Sequence, residues 1–373
     1  MSDAKTAPNR AKDFSDLSYW KGKKIFVTGH TGFKGSWLSV LLSTLGAEVH
    51  GYSLRPPTTP SLFVEAGVEN VIASSTIADL RDREAMSRAM ASCQPEVAFH
   101  LAAQPMVLSS YEDPFETYDV NVTGTVSFLD AARKVPSLSG IVVITTDKCY
   151  ENVERDEPYR EDDTLGGHDP YSNSKACCEL VVQSFRKSFF QTGEKSAKVV
   201  GLASARAGNI IGGGDWGVYR LLPDFFRAYQ KNEPLQIRNP DSVRPWQHVL
   251  EPLMGYLMLG QAVSREPLAF SSGWNFGPQE SLVKKVGEVI SALQSEAEGT
   301  IEVVYDENPN KRHEAKMLRL DCTKAKTELG WRPRLNFEQS IRNTVRWYER
   351  WMEAEPAIEV MREQINEYLS LEK

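Results

Sequence analysis

Lys23-Lys24-Ile25-Phe26-Val27-Thr28-Gly29-His30-Thr31-Gly32-Phe33-Lys34-Gly35-Ser36-Trp37-Leu38 is the stretch that decides the fold. Residues 23–28 read as a strand, and Ser36 to Leu45, with Trp37, Leu38, Leu41 and Leu42 apolar, reads as a helix. Between them stands Gly29-x-x-Gly32-x-x-Gly35. Glycines in a strand–turn–helix let backbone N–H groups approach a ligand, and the helix start favours an anion. The stretch therefore predicts a pyrophosphate-binding turn opening a Rossmann-type unit. The spacing alone is a weak signal; its place between strand and helix gives it weight.

Outward from this turn, strands and helices alternate. A second strand, Glu48–Tyr52, ends in Ser53-Leu54-Arg55, where an NAD enzyme often carries an acid for the ribose 2′-OH. Arg55 reads either as a partner for a 2′-phosphate or as a solvated loop cation, so the residues leave NAD and NADP open. Asp79-Leu80-Arg81-Asp82 precedes a helix, Arg83–Ser92, and reads as a capped start that also offers an adenine contact at Asp79. The strand Glu96–Leu101 runs into Ala102-Ala103-Gln104, small residues that let the backbone pass close to a flat ligand. Asn121 is expected to begin a flanking helix. This rhythm predicts a doubly wound parallel α/β sheet.

The apolar run Ile141-Val142-Val143-Ile144 reads as a buried strand that places Thr145, Thr146, Asp147 and Lys148 at its C-terminal end, where open parallel sheets bind ligands. Two dozen residues on, Tyr171-Ser172-Asn173-Ser174-Lys175 opens a helix behind Pro170. Tyr171 and Lys175, four apart, share one helical face. An ammonium beside a phenol lowers the phenol pKa, which suits a general base near neutral pH. YxxxK alone is common by chance and reads equally as an ordinary helix start.

Composition sets the class. The chain has 373 residues, 41% hydrophobic and 25% charged, enough for one large or two moderate domains. A net charge of -7 argues against nucleic acid or an anionic membrane as partner. Five cysteines, an odd number without a C-x-x-C pair, indicate neither a disulfide framework nor a zinc site, and no metal is expected. The polar N-terminus has no signal-peptide character and no apolar run reaches ~18 residues, so a cytoplasmic protein is expected.

Beyond residue 199 the strand Val199–Ala205 leads to Arg206-Ala207-Gly208-Asn209, with Asn209 placed to reach a phosphate or sugar. Helix Tyr219–Gln230 reads as core. Arg244 suits a pyrophosphate, since a guanidinium forks onto two phosphate oxygens; Arg312 or His313 joins it, or Lys311-Arg312 is a solvated charge run. Trp246 and Trp274 read first as core. Asn275-Phe276-Gly277 returns a strand to the first domain, and helix 281–295, strand Ile301–Tyr305, Leu318–Asp321 and a capped helix stopped by Gly330 follow. The expected organisation is an arm over 1–20, a dinucleotide domain over 21–207 plus about 240–278, a smaller discontinuous α/β domain over 208–239 plus 279–351, and a charged helix or tail over 352–373 with Pro356 interrupting it.

Taken in order, Thr28-Gly29-x-x-Gly32-Phe33-x-Gly35, the Asp79 motif, His100-Leu101-Ala102-Ala103, Asn121, Thr146-Asp147 and Tyr171-x-x-x-Lys175 resemble the extended short-chain dehydrogenase/reductase family that modifies nucleotide sugars. The resemblance covers about residues 22–350. It implies NAD as cofactor, held by Gly29, Thr31, Gly32, Phe33, Gly35, Asp79, Leu80, Leu101, Ala102, Ala103, Asn121, Thr145, Tyr171 and Lys175. It also implies a homodimer through a four-helix interface beside the Tyr171 helix.

Longer strings narrow the likeness to the 4,6-dehydratase branch that takes CDP-glucose. They are Pro60-Ser61-Leu62-Phe63, Thr146-Asp147-Lys148-Cys149-Tyr150-Glu151-Asn152, Gly208-Asn209-Ile210-Ile211-Gly212-Gly213-Gly214-Asp215-Trp216, Arg244-Pro245-Trp246-Gln247-His248-Val249 and His313-Glu314-Ala315. Nothing in the residues' chemistry independently says cytosine. The substrate contacts so implied are Gln104, Asn209, Arg244, Trp246, Arg312 and His313. The product would be a 4-keto-6-deoxy sugar nucleotide for deoxysugar and lipopolysaccharide synthesis.

Such a reaction oxidises C4, eliminates water across C5 and C6, and returns the hydrogen to C6. Tyr171, with Lys175, takes the C4 hydroxyl proton; Thr146 aligns that transfer; Asp147 protonates the departing C6 oxygen and must be held neutral by burial. Lys148 then removes the C5 proton, where dTDP-glucose relatives carry Glu, and must act neutral, well below ~10.4. The alternative is Lys148 as a structural partner of Asp147. A 4-epimerase, an inverting UDP-N-acetylglucosamine 4,6-dehydratase and an NAD(H)-binding redox sensor compete; Asp147-Lys148 speaks against the first, the Gly-Gly-Gly-Asp-Trp and Arg-Pro-Trp-Gln-His strings against the second, and retention of both Tyr171 and Lys175 against the third.

Overall fold

The computed structural model describes residues 14–191, 199–237, 240–278, 283–297, 299, 301–305 and 318–371. Seven strands form its main sheet: β1 (Lys24–Thr28), β2 (Glu48–Ser53), β3 (Ser74–Ile77), β4 (Val97–His100), β5 (Gly140–Ile144), β6 (Gly201–Ala207) and β7 (Gly273–Phe276). Their order is β3-β2-β1-β4-β5-β6-β7, and every pair is parallel. The order reverses between β1 and β4, the switch point where doubly wound sheets bind ligands. All five residues of β5 are buried, as a strand covered on both faces requires.

Alternation within the strands feeds two cores. Ile25, Val27, Val142 and Ile144 pack on one face with α1 (Phe33–Thr44) and α6 (Leu250–Arg265). Phe26, Ile141 and Val143 pack on the other with α2 (Arg83–Cys93), α3 (Gly124–Ala132) and α4 (Pro170–Phe185). Each fully buried side chain of this size contributes about 1.5–3 kcal/mol. Helix α4 starts where the sequence says: Pro170 occupies the first turn and the Asp169 carboxylate accepts from Ser172 N at 2.9 Å.

Three two-stranded sheets lie beside this frame. Ile210–Ile211 pairs with Gln247–His248, Leu235–Ile237 with Val303–Tyr305, and Val243–Pro245 with Val283–Lys285. The remaining long helices are α5 (Leu221–Lys231), α7 (Val286–Glu296), α8 (Phe337–Met352) and α9 (Ala357–Ser370).

Several expectations are corrected. The helix expected over 281–295 begins only at Val286, because Val283–Lys285 is taken into an antiparallel pairing and Glu288 caps the helix by accepting from Lys285 N at 2.8 Å. Asn121 does not begin a helix; it sits in a widened turn, Asp119–Thr123, between two helical stretches, Pro114–Tyr118 and α3. Of the helix or tail expected at the C-terminal end, the structure shows the helix. Pro356 precedes α9, whose Val360, Met361, Ile365 and Tyr368 are buried with residues of α1 and α8 in the first core. Phe14 and Trp20 are buried there too, so the described end of the N-terminal arm is anchored.

Candidate active site

A cleft of about 1520 Å³ opens at the C-terminal ends of the strands. Gly29, Thr31, Gly32, Phe33, Gly35, Asp79, Leu80, Leu101, Ala102, Ala103, Thr145, Thr146, Asp147, Lys148, Tyr171, Asn209, Arg244 and Trp246 all line it. Arg312 and His313 lie outside the described residues.

One half of the cleft is built mainly from backbone. Gly29 has φ +77°, and a Cβ there would stand 2.7 Å from Ala102 N. A Cβ on Gly35 would stand 2.0 Å from Gly29 O. Both close approaches exclude any side chain. Helix α1 has Gly32 at its N-cap and no side chain capping its first N–H groups. Gly32, Phe33, Lys34 and Gly35 at that helix start all line the cleft, which fits the pyrophosphate of a dinucleotide. The Thr31 hydroxyl lies 2.8 Å from Ser53 Oγ and donates to Leu54 O at 2.9 Å, tying the turn to the end of β2.

Asp79 is held by a fork from Arg81, whose Nε and Nη2 donate at 2.9 and 2.7 Å and keep its carboxyl below the usual range. Arg55 also lines this half and is exposed. His30, inside the glycine turn, points away: its Nε2 meets Ser75 Oγ at 2.8 Å, and burial lowers its pKa to about 4.

The other half is built from side chains. Thr146 Oγ1 donates to Asp147 Oδ1 at 3.0 Å, and Asp147 is 3% exposed. Gly208 backs it, since a Cβ there would stand 2.6 Å from Asp147 Oδ2. Lys148 is half-buried on the wall and its ammonium has no hydrogen bond or ion pair among the described residues. Tyr171 is 9% exposed.

The expectation of a depressed phenol is not met by the protein groups. Burial pushes the Tyr171 pKa up, and Asp147 adds to this; a hydrogen bond with Thr146 and the charge of Arg220 pull down by less. Lys175 is not among the largest influences on the phenol here. It lies behind the wall with Nζ 3.5 Å from Ile144 O, and burial lowers its own pKa.

Gln104 and Asn121 also stand behind the wall. Asn121 accepts from Gln104 N at 2.8 Å and donates to Gln104 O at 3.1 Å and Ser174 Oγ at 2.9 Å, so it ties the loop after β4 to α4. The Gln104 side chain donates to Met106 O and Thr117 Oγ1 at 3.1 and 2.8 Å. Trp246 is 6% exposed and its Nε1 donates to Lys284 O at 3.2 Å.

Two cleft cations escaped the sequence reading. Lys34 lies inside the glycine turn; burial, with Lys175 and Arg220 as like charges, lowers its pKa to about 7. Arg220 precedes α5, and its Nη1 forks onto Asp215 at 3.0 and 2.8 Å. The signal for Lys34 was its place among the glycines. For Arg220 it was the acid five residues earlier in the Gly-Gly-Gly-Asp-Trp string, which nothing local links to the cleft. Among the described residues no group of three or more His, Cys, Asp or Glu could hold a metal, and no helix is long and apolar enough to cross a membrane.

The family model described as GDP-mannose 4,6 dehydratase matches residues 26–344. A CDP-glucose 4,6-dehydratase of Salmonella typhimurium is 47% identical over 95% of this chain and 98% of its own length. A human GDP-mannose 4,6 dehydratase is 23% identical over 86% of this chain and 89% of its own length. Among solved structures, epimerase Mth375 of Methanothermobacter thermautotrophicus superposes with a TM-score of 0.76 at 23% identity, over 94% of this chain and 97% of that one. A dTDP-glucose 4,6-dehydratase of Bacillus anthracis in complex with NAD superposes with a TM-score of 0.71 at 23% identity, over 89% and 98%.

Proposed function

Because the chain belongs to the GDP-mannose 4,6-dehydratase family of nucleotide-sugar enzymes, we propose that it is a hydro-lyase converting CDP-glucose to CDP-4-dehydro-6-deoxyglucose, with NAD as cofactor. The observation that carries the reading is Asp147 and Lys148 standing together on the cleft wall with Tyr171, an acid and a base beyond what oxidation at C4 requires. A 4-epimerase, whose fold this chain shares, needs only the phenol and its ammonium.

The glycine turn, the start of α1 and Asp79 would hold the cofactor. When bound, NAD supplies an acceptor for the C4 hydrogen and returns it to C6, so no net redox occurs. Tyr171 Oη takes the C4 hydroxyl proton, aligned by Thr146, and Lys175 supports it from behind the wall. The C4 ketone then acidifies the C5 proton. Lys148 Nζ removes that proton, and Asp147, buried and backed by Gly208, delivers one to the leaving C6 oxygen. General acid–base groups in such positions contribute typically ~10²–10⁴-fold each. Asn209, Arg244 and Arg220 would hold the sugar nucleotide, with residues 21–207 and about 240–278 forming the NAD-binding domain and 208–239 with 279–351 the sugar-nucleotide domain.

The reading extends to a cytoplasmic homodimer. Val126 on α3 and Leu180 on α4 are 36% and 55% exposed, and Phe189 just beyond α4 is 49% exposed, an apolar face suited to a second copy. Sedimentation of the wild type against Leu180→Glu tests it: one mass for both at micromolar concentration would sink the dimer.

The functional test is incubation with NAD and, separately, CDP-glucose, dTDP-glucose or UDP-glucose, following the 4-keto product by its alkaline absorbance. Product chiefly from CDP-glucose is expected. Product from none of the three would end the dehydratase reading.

A further inference from the structure

One buried ion pair takes no part in the proton transfers, yet its hydrogen bonds reach Thr145 and Tyr150, which flank Thr146, Asp147 and Lys148 on the cleft wall. Glu179 and Arg206 are 1% and 2% exposed. Arg206 Nε and Nη2 donate to the two Glu179 carboxylate oxygens at 3.0 and 2.9 Å, a fork onto both. Each oxygen accepts one more bond: Oε1 from Thr145 Oγ1 and Oε2 from Ser204 Oγ, both at 2.6 Å. The remaining Arg206 nitrogen, Nη1, donates to Tyr150 Oη at 2.7 Å and Glu161 O at 3.1 Å. Tyr150 passes the link on, donating to Asn275 Oδ1 at 2.7 Å. Neighbouring β7 leaves space for the guanidinium with Gly273, where a Cβ would stand 2.7 Å from Arg206 Nη2.

The sequence positions explain what is joined. Glu179 lies one helical turn beyond Lys175 and two beyond Tyr171, on the buried face of α4. Thr145 immediately precedes Thr146-Asp147-Lys148, Tyr150 follows them, and Arg206 stands three residues before Asn209. A fully buried ion pair is a poor source of net stability, because desolvation offsets its Coulomb attraction and apolar residues of the same volume often serve as well. Its contribution is better sought in geometry: four bonds to one carboxylate leave the helix and the turn one mutual register.

We propose that the Glu179–Arg206 pair is a positioning device for the reaction, locking the helix that carries Tyr171 and Lys175 against the turn that carries Thr146, Asp147 and Lys148. The inference rests on the 4,6-dehydratase reading. Neither residue lines the cleft, so neither is catalytic; the pair acts through Thr145. Its disturbance moves the phenol relative to the acid and base while leaving the phosphate and pyrophosphate contacts in place.

The test is steady-state kinetics of Glu179→Gln and Ser204→Ala with CDP-glucose, dTDP-glucose and UDP-glucose, plus NAD affinity by quenching of protein fluorescence. Misplacement by about 1 Å costs ~100-fold, so kcat should fall ~10–100-fold in Glu179→Gln and about 10-fold in Ser204→Ala, which removes one of the four bonds to the carboxylate, with KM and NAD affinity within ~3-fold of wild type in both. If Glu179→Gln fails to fold, Ser204→Ala, which removes no charge and does not touch the cleft, decides alone. Folded variants with wild-type kcat, or with losses confined to KM or NAD affinity, overturn the inference while the reaction stands. A wild type that turns over none of the sugars overturns the functional reading and this inference with it.

Discussion

The two halves of the cleft solve different problems with different materials. Around Gly29–Gly35 the wall is backbone, held close by glycines, and its selectivity lies in the absence of side chains. Around Asp147 and Tyr171 the wall is side chains from the ends of β5 and β6, the start of α4 and the segment before α5, arranged by charge and burial. A backbone wall can only bind; it presents N–H groups and shape. A wall of titratable groups can move protons. The two halves should therefore fail in different kinetic parameters when damaged, and that separation can be attacked directly.

The largest effects belong to the side-chain half. Tyr171→Phe and Lys148→Ala should each lower kcat by ~10²–10⁴-fold while NAD affinity stays near wild type. Steady-state rates with CDP-glucose, beside a fluorescence titration of NAD, check both. Full activity in Lys148→Ala would move the C5 proton to another base and leave the halves less distinct than the geometry implies. Gly35→Ala attacks the backbone half. Its Cβ would meet Gly29 O at 2.0 Å, so the turn must shift. Overpacking of this kind costs about 1–3 kcal/mol, and weaker NAD binding with unchanged kcat at saturating NAD is the expected pattern. A fall in saturated kcat instead would show that the turn also shapes the chemistry.

Lys34 sits where the halves meet, and pH reports on it. Its pKa is lowered from 10.5 to about 7, first by burial and then by Lys175 and Arg220. The unfolded chain thus binds more protons than the folded one between those two values. Stability from this group should rise with pH across that window and stay at its lowest, constant level below pH 7. Lys34→Met removes the penalty. The variant should melt higher than wild type at pH 6, with the gap narrowing as pH climbs to 9. A gap of one size at every pH would mean that Lys34 is solvated.

What the sequence revealed follows the same division. Gly29, Gly32 and Gly35 were legible because backbone approach leaves a fixed local spacing, and the buried strand Ile141–Ile144 was legible from its apolar run. Tyr171 and Lys175 were legible as a pair, but not the direction of the phenol's pKa, which burial and Asp147 set from other parts of the chain. Arg220 and Lys34 were not read as site residues, because their meaning lies in what folds against them. Asn121 misled for the same reason: its amide is occupied by Gln104 and Ser174, contacts 17 and 53 residues distant in sequence. The segment beginning at Val283 became strand because a partner at Val243–Pro245 was waiting, which no local pattern announces.

Helix α9 gives the smallest effect and the control for the others. Its charged sequence read as a helix or a tail; it is a helix, and its Tyr368 reaches a buried carboxylate that does not line the cleft. Glu251 accepts from Arg334 N at 2.8 Å, Leu335 N at 2.6 Å and Tyr368 Oη at 2.8 Å. Burial pushes the Glu251 pKa up, and those donors partly restore the charged form. Tyr368→Phe deletes one donor and nothing else, so a loss of about 1–2 kcal/mol is expected in urea unfolding. Because α9 packs with α1 in the first core and none of its residues lines the cleft, kcat, KM and NAD affinity should all stay within error. Loss of NAD affinity in Tyr368→Phe would mean that the start of α1 is held in place by its packing with α9, and that the backbone half is less self-contained than its glycines suggest.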